Sequence, residues 1–170
     1  MTITKIEPIV KTKFKIYIDE TFAFVLYKGE LSRYHIKEGE DIEEALFYKI
    51  KKEVVLKRGK LRAMHLLSQM DRSESQLRDK LKQNYYTEDM ITAVMEYVKS
   101  FGYINDQEYA RRYVENKKSV KSRKELQFLL YQKGINKELI EEALQLYCEN
   151  KQEVRAIREI LRKKNYNIEQ

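Results

Sequence analysis

An ungapped internal repeat limits what this chain can fold into more than any other feature. Ser73-Glu74-Ser75-Gln76-Leu77 falls on Ser122-Arg123-Lys124-Glu125-Leu126, an offset of 49 residues. The same offset pairs Leu81 with Leu130, Gln83 with Gln132, Thr87 with Asn136, Met90 with Leu139, Ile91 with Ile140, Val94 with Ala143 and Met95 with Leu144. Ser73…Gln76 and Ser122…Glu125 have the spacing of capping boxes, which satisfy backbone amides that a helix start leaves orphaned. Leu77/Leu81 and Leu126/Leu130 are then i, i+4 neighbours on one buried face. Asn84 in one copy, and Gly134 near the equivalent place in the other, can supply the left-handed residue that ends a helix. Thr87 and Asn136 are the next N-caps. A preceding helix, at 60–70 in one copy and 107–117 in the other, is anchored by Ala63 and Ala110. Between the copies, Gly102 suits a helix end and Asp106 an N-cap. A third copy begins at Val154-Arg155-Ala156, with Ile157, Ile160 and Leu161 as its stripe, and reaches Gln170 after one helix. Units of this kind pack mainly on their neighbours. The expected fold class is therefore mainly α, with tandem three-helix repeats forming a curved, elongated array, an architecture for binding rather than catalysis.

The first fifty residues follow another period. Phe14, Ile16 and Ile18 alternate with Lys13, Lys15 and Tyr17, as in a half-buried strand. Asp19-Glu20 interrupts the run and Phe22, Phe24 and Leu26 resume it, which predicts an antiparallel β-hairpin. Residues 3–10, confined to an edge by Pro8, are the candidate third strand of a small N-terminal module. A short helix at 31–36 follows. Asp41 then reads as an N-cap with Glu43 and Glu44 in the first turn, opening a helix striped by Ala45, Leu46 and Ile50. The domain reading is 1–50, a β-hairpin plus acidic helix; 51–104 and 105–150, two three-helix repeats; and 151–170, the start of a truncated third.

Composition sets aside several classes of function. The lone Cys148 permits no internal disulfide and fits a reducing cytosol. No apolar run approaches the roughly 18 residues of a membrane span, and the N-terminus lacks a signal-peptide pattern. A cytoplasmic protein without membrane attachment is expected. His35 and His65 have no second histidine or cysteine at ligand spacing. The five glycines are isolated, so there is no phosphate-binding loop. Acid pairs fall at turns and helix starts, where capping explains them. Cys148, beside Tyr147 and Glu149, has nothing to lower its pKa and reads as inert. Neither an enzyme nor a cofactor is expected.

The formal charge is +7 and it is unevenly placed: residues 1–50 hold 8 Lys+Arg and 9 Asp+Glu, whereas 105–170 hold 15 and 11. One basic cluster is Lys51, Lys52, Lys57, Arg58, Lys60 and Arg62. The other runs from Arg111 and Arg112 through Lys117, Lys118, Lys121, Arg123 and Lys124. Such clusters attract polyanions or simply solvate a helix face. Tyr85 and Tyr131, interleaved with cations, are open to base stacking. Tyr103 and Tyr109 fall at repeat junctions, where packing is the commoner role.

The segment Phe101-Gly102-Tyr103-Ile104-Asn105-Asp106-Gln107-Glu108-Tyr109-Ala110 resembles the "GYLND-x-x-FA" junction of the RecX regulatory proteins. Arg72-Ser73-Glu74-Ser75-Gln76-Leu77-Arg78-Asp79-Lys80-Leu81 resembles that family's "R-x-S-x-x-E-L-x-x-K-L", and Leu130-Tyr131-Gln132-Lys133-Gly134-Ile135 its "L-x-x-K-G-I". The resemblance covers about residues 55–165. It implies a non-enzymatic modulator of the RecA recombinase, which binds RecA filaments on single-stranded DNA. The family's usual mode is to inhibit recombinase, ATPase and co-protease activity, in DNA repair, recombination and the SOS response. The RecA filament is the expected partner, single-stranded DNA a second, and the chain is expected to act as a monomer. Charge and repeat position, rather than the resemblance, select the contact residues: Arg72, Arg78, Lys82, Arg111, Arg112, Lys117, Lys118, Lys121, Arg123 and Lys124. Two other functions fit the same residues, a stand-alone DNA-binding helical module and a helical scaffold whose charge serves solubility. The first repeat departs from the family in having Asn84-Tyr85 where Lys-Gly is usual, with Asn84 expected to tolerate the cap conformation. The third repeat, cut to one helix, would shorten the reach along a filament.

Overall fold

The computed structural model describes residues 1–169, and their side chains except those of 146, 148–154, 156 and 165–169. It divides into two compact units, one of residues 1–71 with 77–104, the other of 72–76 with 105 onward.

In the first unit, β1 (Ile3–Val10), β2 (Lys13–Ile18) and β3 (Thr21–Tyr27) form an antiparallel sheet in that order. The expected alternation holds, with Ile16, Ile18, Phe24 and Leu26 buried. Asp19 and Glu20 make the β2–β3 turn with φ of 50° and 67°, a left-handed pair whose twist matches that of the strands it joins. The turn is also tied to β1. The Asp19 amide donates to the Thr2 carbonyl, and the Glu20 amide to the Thr4 hydroxyl, each at 2.9 Å. Pro8 lies on edge strand β1, where a missing amide breaks no central ladder.

Helix α1 (Lys28–Arg33) starts before residue 31, because Glu30 accepts the Tyr27 amide at 2.8 Å and fixes the start there. Asp41 is not an N-cap. It bridges to Thr2 and accepts that hydroxyl at 2.8 Å, while Glu43 takes the cap position of α2 (Glu44–Lys49). Ala45 is exposed rather than part of an apolar stripe, and Phe47 instead stacks on Phe24 with centroids 5.7 Å apart. The helix continues through a π-helical stretch, Ile50–Leu56, into α3 (Lys57–Gln69). Ile50 and Val55 close the core under the sheet.

With α4 (Glu74–Gln83) and α5 (Glu88–Ser100), α3 builds a three-helix core from Ala63, Leu66, Leu77, Leu81, Ile91, Val94, Met95 and Val98. The left-handed residue after α4 is Tyr85, with φ of 69°, not Asn84. The Tyr85 amide reaches the Lys82 carbonyl at 3.0 Å and the Tyr86 amide that of Leu81 at 3.1 Å, closing the helix end. Asn84 is used otherwise: its side-chain oxygen accepts from Arg62 Nε at 2.8 Å. Thr87 holds the N-cap position of α5, but its hydroxyl donates to the Asp89 carboxylate instead of accepting an amide.

The second unit holds α6 (Asp106–Lys117), α7 (Arg123–Gln132) and α8 (Lys137–Glu169) around Tyr109, Ala110, Val114, Leu126, Leu130, Ile140 and Leu144. Asn105 rather than Asp106 is the N-cap of α6, accepting the Glu108 amide at 3.2 Å. Asp106, already helical, accepts the Glu74 amide at 2.8 Å and so caps a different helix. Ser122 and Asn136 cap as expected, accepting the amides of Glu125 at 3.2 Å and Glu138 at 2.8 Å.

The chain at 72–76 belongs to this unit. Ser73 is fully buried and both halves of its capping box form, at 3.1 and 3.2 Å; its hydroxyl also donates to the Lys133 carbonyl at 2.5 Å. Gly134 has φ of 78°, and a Cβ there would lie 2.3 Å from that of Ser75, so the position excludes any side chain. Helix α8 runs without interruption across residue 150, so no separate helix begins at 151. Ile157, Ile160 and Leu161 lie exposed along it. The side chains of Cys148, Val154 and Ala156 are outside the described set.

Candidate functional site

Five of the cations selected from the sequence share one turn of the second unit. Lys117 closes α6, Lys118 is its C-cap, Lys121 lies in the connection, and Arg123 and Lys124 open α7. The backbone beneath them is fixed. The amides of Val120 and Lys121 donate to the Lys117 carbonyl at 3.1 and 3.0 Å, and that of Lys118 to Val114 at 2.8 Å. The hydroxyl of Tyr147, whose side chain is buried on α8, donates to the Lys121 carbonyl at 3.3 Å. Val120, at 75% exposed, stands among the cations. Neither Tyr147 as the anchor nor Val120 was marked by charge, which is the only signal the sequence offered for this turn.

The two sides of the turn differ electrostatically. Lys117 and Lys118 stand at a helix C-terminus, whose partial negative charge favours them. Arg123 and Lys124 stand in the first turn of α7, where the exposed amides carry partial positive charge and cations are disfavoured. Those two residues therefore raise the local potential at a small cost to the fold.

The other selected residues are dispersed. Arg111 and Arg112 are exposed on α6, with Arg111 at 3.6 Å from Glu108 one turn back. Arg72, half-buried, precedes α4 in the second unit. Arg78 and Lys82 lie on the part of α4 that belongs to the first unit, with Lys82 at 3.9 Å from Glu88.

The earlier basic cluster is largely engaged in structure. Lys51 pairs with Asp89. Partial burial pushes the Asp89 carboxyl up, but hydrogen bonds from Lys51 and Thr87 outweigh it and hold the group below the usual carboxylate range. Arg58 pairs with Glu30, and Lys60 lies 4.6 Å from the centre of the Tyr97 ring. Tyr97 continues into an aromatic ladder, with Phe101 at 5.0 Å and Tyr103 stacked on Phe101 at 5.5 Å. Tyr103 is half exposed, whereas Tyr109 is buried as expected. Among the described residues no group of His, Cys, Asp or Glu is placed to hold a metal ion, and no helix is long and apolar enough to cross a membrane.

Comparison with known proteins bears on this arrangement. Residues 60–97 match the model of the first three-helix domain of RecX, and residues 105–144 that of the second. The regulatory protein RecX of Caldanaerobacter subterraneus subsp. tengcongensis is 33% identical over 166 residues, which is 96% of this chain and 84% of the relative. That of Clostridium acetobutylicum is 28% identical, covering 98% of this chain and 79% of the relative. A crystal structure of regulatory protein RecX aligns with a TM-score of 0.56 at 26% identity, over 86% of this chain and 73% of that one. The two three-helix domains and the near full-length likeness agree, and this chain belongs to the RecX family of regulatory proteins.

Proposed function

We propose that this chain regulates the RecA recombinase by binding RecA filaments on single-stranded DNA, and that it inhibits their recombinase, ATPase and co-protease activities. It acts as a cytoplasmic monomer in DNA repair, recombination and the SOS response, without catalysis of its own. The observation that carries the proposal is the basic turn at 117–124 within a RecX domain. Arg123 and Lys124 work against the α7 dipole, so fold stability does not select them, whereas a negatively charged partner does. In the division into 1–50, 51–104, 105–150 and 151–170, this assigns the main contact to the second repeat.

Sedimentation with preformed filaments tests the reading. The chain is expected to pellet with RecA on single-stranded DNA. A variant with Lys117, Lys118, Lys121, Arg123 and Lys124 replaced by Ala should stay in the supernatant with its helical signal unchanged. Pelleting of that folded variant at the parent level would remove the turn from the contact. Equal pelleting with naked DNA would favour a stand-alone DNA-binding module, and none with either a scaffold.

A further inference from the structure

A cavity of about 330 Å³ opens in the first unit among the sheet, the start of α3 and the link from α4 to α5. That volume lies within the range of small-ligand sites. Val25 and Val55 contribute apolar lining, while Lys13, Arg58 and Arg62 bring positive charge, and Tyr27, Tyr85 and Tyr86 bring aromatic rings.

The cationic side is held in place before any ligand arrives. Arg58 lies 4.5 Å from the centre of the Tyr27 ring, donates to the Val25 carbonyl at 3.3 Å and pairs with Glu30. Arg62 is fixed through Nε to Asn84. That bond uses one edge of the guanidinium, and its terminal NH₂ groups are those a phosphate can engage. Lys13 Nζ stands 5.6 Å from the centre of the Tyr27 ring. Glu30 offsets one of the three positive charges, so the lining remains cationic.

The aromatic side carries backbone strain. Tyr85 occupies the helix end that the other copy fills with Gly134, at φ of 69° against 78°. Holding a side chain in the left-handed region disfavours the fold by about 1–2 kcal/mol. Such strain is found where a site needs a group in one position. Here it sets an exposed ring at the cavity, with Lys15 Nζ 4.7 Å from the ring centre. The π-helical stretch that contributes Val55 ends just before α3 delivers Arg58 and Arg62, and such stretches are frequent at functional sites.

We propose that this cavity binds a nucleotide, its phosphate against Lys13, Arg58 and Arg62 and its base stacked on Tyr85. The same chemistry is offered by a free nucleotide and by one unit of a single strand. An acidic protein segment would use the cations but would have no use for the strained ring. The inference does not rest on the RecA reading, since it concerns the chain alone.

Calorimetric titration of the full chain with thymidine 5′-monophosphate, a short oligothymidylate, inorganic phosphate and a glutamate-rich peptide tests it. Both nucleotide probes should bind more tightly than phosphate or peptide. An oligomer much tighter than the monophosphate identifies a strand as the source; equal affinity identifies the free nucleotide. Tyr85→Gly, which removes the ring and relieves the strain, should weaken nucleotide binding about tenfold with the fold intact. Arg62→Ala should weaken it by a similar factor, and Lys13→Ala should lower the salt slope of oligomer binding by about one. Parent affinity in folded Tyr85→Gly would overturn the proposal. So would phosphate or peptide matching the nucleotides, or no nucleotide binding at all.

Discussion

Tyr85 and Gly134 occupy the same place in two copies of one helix end and meet different demands there. Gly134 has no room for a Cβ against Ser75 and a left-handed backbone as well, so Gly134→Ala should destabilise the chain by about 2 kcal/mol or more in urea unfolding. Tyr85 is strained by a similar backbone angle, and Tyr85→Gly should cost under about 1 kcal/mol although it removes an aromatic side chain. The sequence pointed to Asn84 for this role because asparagine tolerates the left-handed region and tyrosine rarely enters it. Only the repeat offset, which sets Tyr85 against Gly134, held the information. Next to it, Tyr86 has its hydroxyl pKa pushed up, mainly by burial, with Arg58 and Arg62 opposing and Tyr27 adding to the rise. The folded state thus holds that proton more tightly than the unfolded chain. Stability should be full below about pH 10 and fall as pH rises through the raised value. Urea midpoints measured on either side of pH 10 should show this fall, and Tyr86→Phe should flatten it.

At the scale of elements, the local caps at Ser73, Ser122 and Asn136 were legible, whereas Asp41 and Thr87 make other bonds and the long-range cap carried no local signal. The three-residue spacings at Ser73 and Ser122 mark caps where they form, a full box at Ser73 and, at Ser122, the hydroxyl accepting the Glu125 amide. Asp106 looked like the cap of its own helix. Asn105 fills that position, and Asp106 reaches the Glu74 amide, a partner 32 residues away that no local pattern indicates. Ser73 joins both kinds, since its buried hydroxyl also donates to the Lys133 carbonyl. Ser73→Ala should lower stability by about 1–3 kcal/mol, because it removes a cap and leaves the part-buried Lys133 carbonyl without that donor. A melting temperature unchanged from the parent would contradict this. Alternation predicted the β2–β3 hairpin. The π-helical stretch was invisible, because its apolar residues fit an ordinary helix equally well.

At the scale of the whole molecule, the repeat and its junction motif carried the most information, since a spacing of 49 residues shows directly in the sequence. The basic turn was partly legible: its cations were visible as charge, but their backbone scaffold depends on Tyr147. The cavity was not legible, because its lining is drawn from between Ile9 and Tyr86 and meets only through folding. In the proposed function this RecX-family chain regulates RecA through the turn at 117–124. ATP hydrolysis by the cognate RecA on single-stranded DNA tests it most directly, measured with the parent chain and with the five-alanine variant at substoichiometric amounts. The parent is expected to lower the rate and the folded variant to leave it unchanged. A rate untouched by the parent, or lowered equally by both, would contradict it.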